Sequence, residues 1–453
     1  VPLVPPPEFV VTTDAPGPAG SPVERVAEFF IDPDDSLLEE LPAAVADEVP
    51  GNAAKQVSAM ALQKAGDLIV DAKTVLPWLL GSVGAPVALT GLLVPLRESG
   101  SMLPQAGLAP MVRRRSVRKW FWVVGAGIQA LAVTAMAVVA VAVDGALAGW
   151  SILAALAVFA LARSLSSLAS KDVLGRTIPK GARGRVTGTA TVASGIVAIA
   201  VGVALRVFAG QDAGTSTLAL LLGVAALAWL AAGAVYARVQ EARGDRDESE
   251  ARSRPLAAAW SLLREDAPFR RFVLARALLL VSALAPPFIV TLAADRGTAG
   301  LEGLGPFVIS SGIAALVGGR LWGGMSDRSS RLTMSIAAAA ASVVVLVYLA
   351  ILQVEGMADL ALLHPVAYLL LALSHTGVRI GRKTYVVDLA EGNQRTNYVA
   401  VSNSAMGVLF LVAGGLSSAI ALLGPEAALL FLAILGLTGV IVSRSLPEIG
   451  AGR

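Results

Sequence analysis

The chain has no cysteine and only two histidines, His364 and His375, among its 453 residues. Without cysteine there are no disulfides, thiolate metal sites or cysteine nucleophiles. No nucleophile with a nearby His and Asp set is visible, so enzyme chemistry is poorly supported, and no metal or cofactor is implied. Charged residues make up 15% of the chain and aromatics 5%. What it has instead is apolar length. With 55% hydrophobic residues and a mean hydropathy of +0.71, it carries far more apolar sequence than a soluble core could hide, and an all-α integral membrane protein is expected. The net charge of +3 does not point to nucleic acid, because the basic residues cluster beside apolar spans, where they orient the protein in the bilayer.

Residues 1–58 open with a Pro-rich run and continue through the acidic segment IDPDDSLLEELPAAVADEVP, with no basic-then-apolar signal pattern, and are expected to be a partly disordered tail. Apolar segments close to the ~20 residues needed to span a bilayer follow. They lie at about 60–81, 85–109, 119–143, 147–171, 187–209, 215–238, 270–293, 304–324, 332–353, 362–386, 396–421 and 426–446, giving twelve expected spans. Arg113, Arg114, Arg115, Arg118 and Lys119 follow the second; Arg176, Lys180, Arg183 and Arg185 follow the fourth; a basic run from Arg238 to Arg271 follows the sixth. The alternate loops hold only Arg206 and Arg296, so the positive-inside rule places both termini in the cytoplasm, in a bacterial inner membrane. The polar stretch 239–269 then divides two six-helix bundles, 59–238 and 270–446, with 447–453 as a second cytoplasmic tail.

The halves echo each other. Lys171, Arg183, Gly195 and Gly202 recur 212 positions later as Lys383, Arg395, Gly407 and Gly414. Glycines at seven-residue intervals, including Gly188, let helices approach closely, and those on the eighth span, Gly318, Gly319, Gly323 and Gly324, are expected to act likewise, against the fifth. Pro286 and Pro287 should break the seventh helix near its outer end.

After the eighth span, Gly319 to Leu332 reads GRLWGGMSDRSSRL. It resembles the loop signature of the major facilitator superfamily, G-x-x-x-D-R-x-G-R-R, through Gly323, Asp327, Arg328 and Arg331, and departs from it at Ser330 and Leu332. In the first half Gly107 and Arg115 fit, while Met111 stands at the Asp position. The resemblance covers roughly residues 60–446. It implies a secondary transporter of small molecules, with alternating access between two pseudo-symmetric bundles and a cavity lined by the first, fourth, seventh and tenth helices. A monomer in contact with membrane lipid is expected.

Ionisable side chains inside spans are costly and mark function or pairing. Arg163, Ser167 and Lys171 share one face of the fourth span, and His375, Arg379 and Lys383 share the equivalent face of the tenth. Asp67 and Asp71 stand four apart on the first span, and Arg276 opens the seventh. The cationic stripe points to recognition of an anion or zwitterion by Arg163, Ser167, His375, Arg379 and Arg276, with Asp67, Asp71 or Glu98 exchanging a proton. Arg163, Arg379 and Asp71 are expected to share one cavity. Lys73, Arg97, Lys171 and Lys383 are supporting charges; Arg97 is expected to meet Asp71, or Glu98 to meet Lys73, while Lys171, Arg382 and Lys383 also suit snorkelling to the lipid surface. Two alternatives compete: a multidrug-type proton antiporter, disfavoured by the few aromatics, and a lipid-headgroup transporter using the same cations.

Overall fold

Inside lipid every backbone N–H and C=O needs an internal partner, which long apolar segments satisfy as helices. The computed structural model describes residues 48–208, 214–243, 261–295, 303–357, 360, 362–389 and 394–448, with some helical positions described by backbone alone; no strand occurs among them. Most of the expected N-terminal tail and of the linker lies outside the described residues.

In the first half α1 spans Val49–Ile69, α2 Val75–Ser82, α3 Thr90–Met102, α4 Gln105–Arg113, α5 Lys119–Ala142, α6 Gly145–Thr177, α7 Lys180–Phe208 and α8 Thr215–Tyr236. In the second, α9 spans Ala267–Leu278, α10 Val281–Leu284, α11 Pro286–Asp295, α12 Gly305–Arg328, α13 Ser330–Ile351, α14 Leu363–Leu389, α15 Gln394–Ile420 and α16 Pro425–Arg444. Among the described residues, eight stretches are long and apolar enough to cross a membrane: α5, α6, α8, the α9–α11 run, α12, α13, α15 and α16. Large side chains such as Leu131, Leu220 and Ile441 stand exposed on them, as lipid-facing surfaces require. The other expected spans coincide with α1–α2, α3–α4, α7 and α14, which are broken or carry charges. The first begins at Val49, eleven residues before the expected 60, so residues 49–58 are helix rather than tail.

Packing repeats between the halves. In the first, α5 packs on α6 and α8, α1 on α7 and α8, and α3 on α6; in the second, α13 packs on α14 and α16, α9 on α15 and α16, and α12 on α14. The halves meet through α7 against α12 and α3 against α15, and, at the end away from the termini, through α2 against α11. Glycines permit both long seams. A Cβ at Gly202 would lie 2.9 Å from the Gly305 carbonyl oxygen, and one at Gly414 would collide with the Pro95 ring. On α12 the expectation fails in detail: Gly318 faces Thr376 of α14, while Gly319, Gly323 and Gly324 meet nothing. Gly414→Ala should therefore lower unfolding stability by roughly 1–3 kcal/mol through overpacking, whereas Gly415→Ala, with open space around its Cβ, should be neutral; thermal unfolding of the purified protein checks both.

At the terminal end the first half is tied by Glu241. Its Oε2 accepts from the backbone N–H of Arg118 and of Lys119, both at 2.8 Å, where α5 begins. Asp172 on α6 pairs with Arg118 at 2.6 Å, and Lys119 donates to the carbonyls of Ala237 and Val239. Burial pushes the Glu241 carboxyl above its usual range, against the two backbone N–H bonds that favour its charge. The second half has a counterpart: Glu448 pairs with Arg331 at 2.6 Å beside the start of α13, and Arg331 also donates to the carbonyls of Arg444 and Leu446. Arg331 of the loop signature thus ties α13 to the end of α16. Arg328 closes α12, a single residue, Ser329, separates it from α13, and Ser329 caps α13 by accepting from Leu332 N–H at 3.0 Å. The Asp327 side chain lies outside the described residues.

Candidate functional site

The first span is not one helix. After Ile69 the chain leaves helical geometry until Val75, and Asp71 holds the break by accepting from Lys73 N–H at 2.7 Å and from the Thr74 hydroxyl at 3.4 Å. Asp commonly closes such local turns. The break exposes carbonyls that would otherwise bond within the helix, and Arg97 of α3 satisfies them by donating to Val70 O and to Asp67 O. Asp67 is then flanked by two guanidinium groups, Arg97 at 3.2 Å and Arg163 at 2.6 Å, with side chains 14%, 16% and 25% exposed respectively. Arg97 also lies over the Phe159 ring, 5.4 Å from its centroid.

This corrects several expectations. Arg97 pairs with Asp67, not Asp71, because the helix break turns Asp71 onto its own backbone. Arg163 is committed to Asp67 and does not line the main cavity, and neither does Ser167 on the same face of α6. The fourth span, which the family resemblance places around a central cavity, is absent from its wall.

The cavity, about 300 Å³, lies between the halves and is built from the α1–α2 break, α3, α10, the start of α11, α12, α14 and α15. Asp71, Lys73, Arg97, Glu98, His375, Arg379 and Arg382 all line it, so two carboxylates face four Lys and Arg side chains, one of which, Arg97, is already paired. His375 is held against Ser282, with Nδ1 3.3 Å from the hydroxyl. Arg379 is exposed to the cavity and has no ion-pair partner among the described residues. Glu98 stands in electrostatic reach of Lys73 and Arg382 but forms no ion pair with either among the described residues. Toward the terminal end the exposed Lys171 and Lys383 are within electrostatic reach of each other, on α6 and α14 of opposite halves. Arg276 sits outside this cavity, hydrogen-bonded to Ser402 and, at 3.2 Å, to Asn403.

α14 can approach α12 and α13 because Gly377 and Gly381 carry no side chain: Cβ atoms there would fall 2.6 Å from the Trp322 ring and 2.8 Å from the backbone of Ser330 and Met334. The sequence reading gave Arg382 only a snorkelling role at the lipid surface; seven residues after His375 and three after Arg379, it falls on the same face of α14 and lines the cavity.

The sequence profile of the Major Facilitator Superfamily matches residues 72–378. The chain belongs to the major facilitator superfamily. Comparison with curated proteins by sequence gave no match. Solved structures of major facilitator transporters share the fold at low identity. A POT family transporter in complex with a thioalcohol-conjugated peptide aligns with TM-score 0.68 at 12% identity, over 90% of this chain and 98% of that one. The nucleoside transporter NupG aligns with TM-score 0.67 at 10% identity, over 87% and 99%. The inward-open xylose transporter XylE from E. coli aligns with TM-score 0.63 at 12% identity, over 88% and 97%.

Proposed function

We propose that this protein moves a small organic anion, or a zwitterion presenting a carboxylate or phosphate, across the membrane through the cavity between its halves, by alternating access. The observation that carries the reading is Arg379: a guanidinium near the middle of α14, facing the cavity, with no carboxylate bound to it among the described residues. A free arginine fork suits bidentate binding of carboxylate or phosphate. Lys73 and Arg382 add positive potential from the facing and adjacent walls. Lys171 and Lys383 extend that potential toward the terminal end, which the charge distribution of the loops assigns to the cytoplasm. The contacts of α2 with α11 close the opposite end, consistent with an inward-facing state.

Coupling falls to Glu98 in this reading. Asp67 is neutralised by two arginines and Asp71 is occupied by backbone N–H, so Glu98 is the cavity carboxylate with no fixed partner, able to take a proton when the cargo anion competes for Arg382. Glu98→Gln should leave cargo binding within about threefold of the unaltered protein while removing the dependence of transport on a proton gradient. Counterflow and gradient-driven uptake in proteoliposomes separate the two. Gradient-driven uptake that persists unchanged in Glu98→Gln removes Glu98 from coupling.

A further inference from the structure

Beside the main cavity, on the second-half side, a small chamber of about 10 Å³ is enclosed by the α9–α10 junction, Met334 of α13 and α14. Arg276, Ser282, His375 and Arg382 supply its polar wall, and the rest is apolar. Arg276 is 5% exposed, and its Nε is buried without a hydrogen-bond partner; the Nε of Arg382 is buried and unpartnered as well. The bonds Arg276 does make go to a neutral hydroxyl and a neutral amide, Ser402 and Asn403. The charged group that acts on it electrostatically is another cation, Arg382. Arginine keeps its proton in proteins, so burial cannot be relieved by neutralisation. A buried guanidinium with no negative partner is strongly unfavourable; Glu98 acts on Arg382 from the main cavity, but among the described residues no carboxylate acts on Arg276, and the two cations share one wall. His375, hydrogen-bonding Ser282 at the chamber edge, supplies no negative charge.

We infer that this chamber holds a resident monatomic anion, chloride in the cell, bridging Arg276 and Arg382 and donated to by Ser282 or His375. A void of this size accommodates one water-sized particle, so an ion fits and a carboxylate or phosphate group does not. The chamber adjoins the main cavity and shares Ser282, Ala283, His375 and Arg382 with it, but Arg276 lines only the chamber and Arg379 only the cavity, so each site has an arginine of its own. Bound there, the anion would fix the junction between α9 and α10 against α14, the point where the seventh span leaves helical geometry.

The full-length protein, purified in chloride-free gluconate, should gain thermal stability saturably as bromide replaces gluconate at constant ionic strength. Crystals grown in bromide should show an anomalous peak between the Arg276 and Arg382 guanidinium groups. Arg276→Gln should abolish the saturable shift, and Arg379→Gln should keep it, so loss of cargo binding and loss of this site are distinguishable. Acetate should give no saturable shift. A flat bromide response with no peak overturns the inference, as does a bromide response lost in Arg379→Gln and kept in Arg276→Gln. An equal response to acetate overturns the monatomic assignment and makes the chamber a carboxylate subsite. Should Arg276→Gln fail to fold, the anomalous peak in the unaltered protein decides.

Discussion

Arg379→Gln should weaken binding of the cavity anion on the order of 100-fold, because it removes a charge-assisted, two-pronged interaction from the cavity wall. Folding should be almost unaffected, since Arg379 is exposed to the cavity and no ion pair among the described residues depends on it. Arg379→Lys should recover part of the affinity, as it restores the charge without the fork geometry. A panel of small carboxylates and phosphates, screened for thermal stabilisation of the unaltered protein and then titrated into both variants, gives the comparison. Equal stabilisation of the unaltered and Gln proteins by the same anion would move the site away from α14.

Asp67→Asn should be the most damaging single change in the first half. It strips the carboxylate from between Arg97 and Arg163, leaving two largely buried guanidinium groups facing each other across an amide. Breaking a buried pair by removing one partner costs roughly 3–5 kcal/mol, and here the arginines that remain cannot lose their charge. Arg163→Gln should cost less, roughly 1–3 kcal/mol, because Asp67 keeps Arg97. Arg163 Nη1 is already buried without a partner, so less is lost with that side chain. Chemical or thermal unfolding in detergent reads both. A well-folded Asp67→Asn protein that transports without a proton gradient would instead make Asp67 the coupling acid.

The contrast between Asp67 and Asp71 shows where the sequence stopped being informative. Four residues apart, they share a face only if the helix is continuous, and periodicity carried the pair past Ile69. The signal for the break was local: Asp71 followed by Lys73 and Thr74, with Pro77 close behind, is turn chemistry set in an apolar run. Once the helix ends, Asp67 turns to Arg97 and Arg163 while Asp71 caps the turn. Pro286 and Pro287 gave a plainer signal, and the seventh span breaks there, with a second interruption at Leu279–Leu280 that no residue type announced. The repeat of Lys171 as Lys383 and of Gly195 as Gly407 did carry the architecture, because paired packing in the two halves follows from similar helices in the same order. That symmetry is also what misplaced Arg163. Equivalent helices need not play equivalent roles: the first half uses its arginine to neutralise Asp67, and the second half has no matching acid on the α9–α10 segment, which leaves Arg379 and Arg382 for the cavity.

The absence of cysteine permits a direct measurement that does not require the cargo to be known. Ala372 lines the cavity on α14, one turn from His375. In an Ala372→Cys protein, the single thiol can be titrated with two thiosulfonate reagents of similar size, one bearing a sulfonate and one a quaternary ammonium. A cavity with Arg379, Arg382 and Lys73 in excess over its carboxylates should label faster with the anionic reagent, on the order of tenfold, with the preference falling as salt rises and shrinking when Arg379→Gln is added. Faster labelling by the cationic reagent, or no preference at low salt, would contradict an anion-binding cavity.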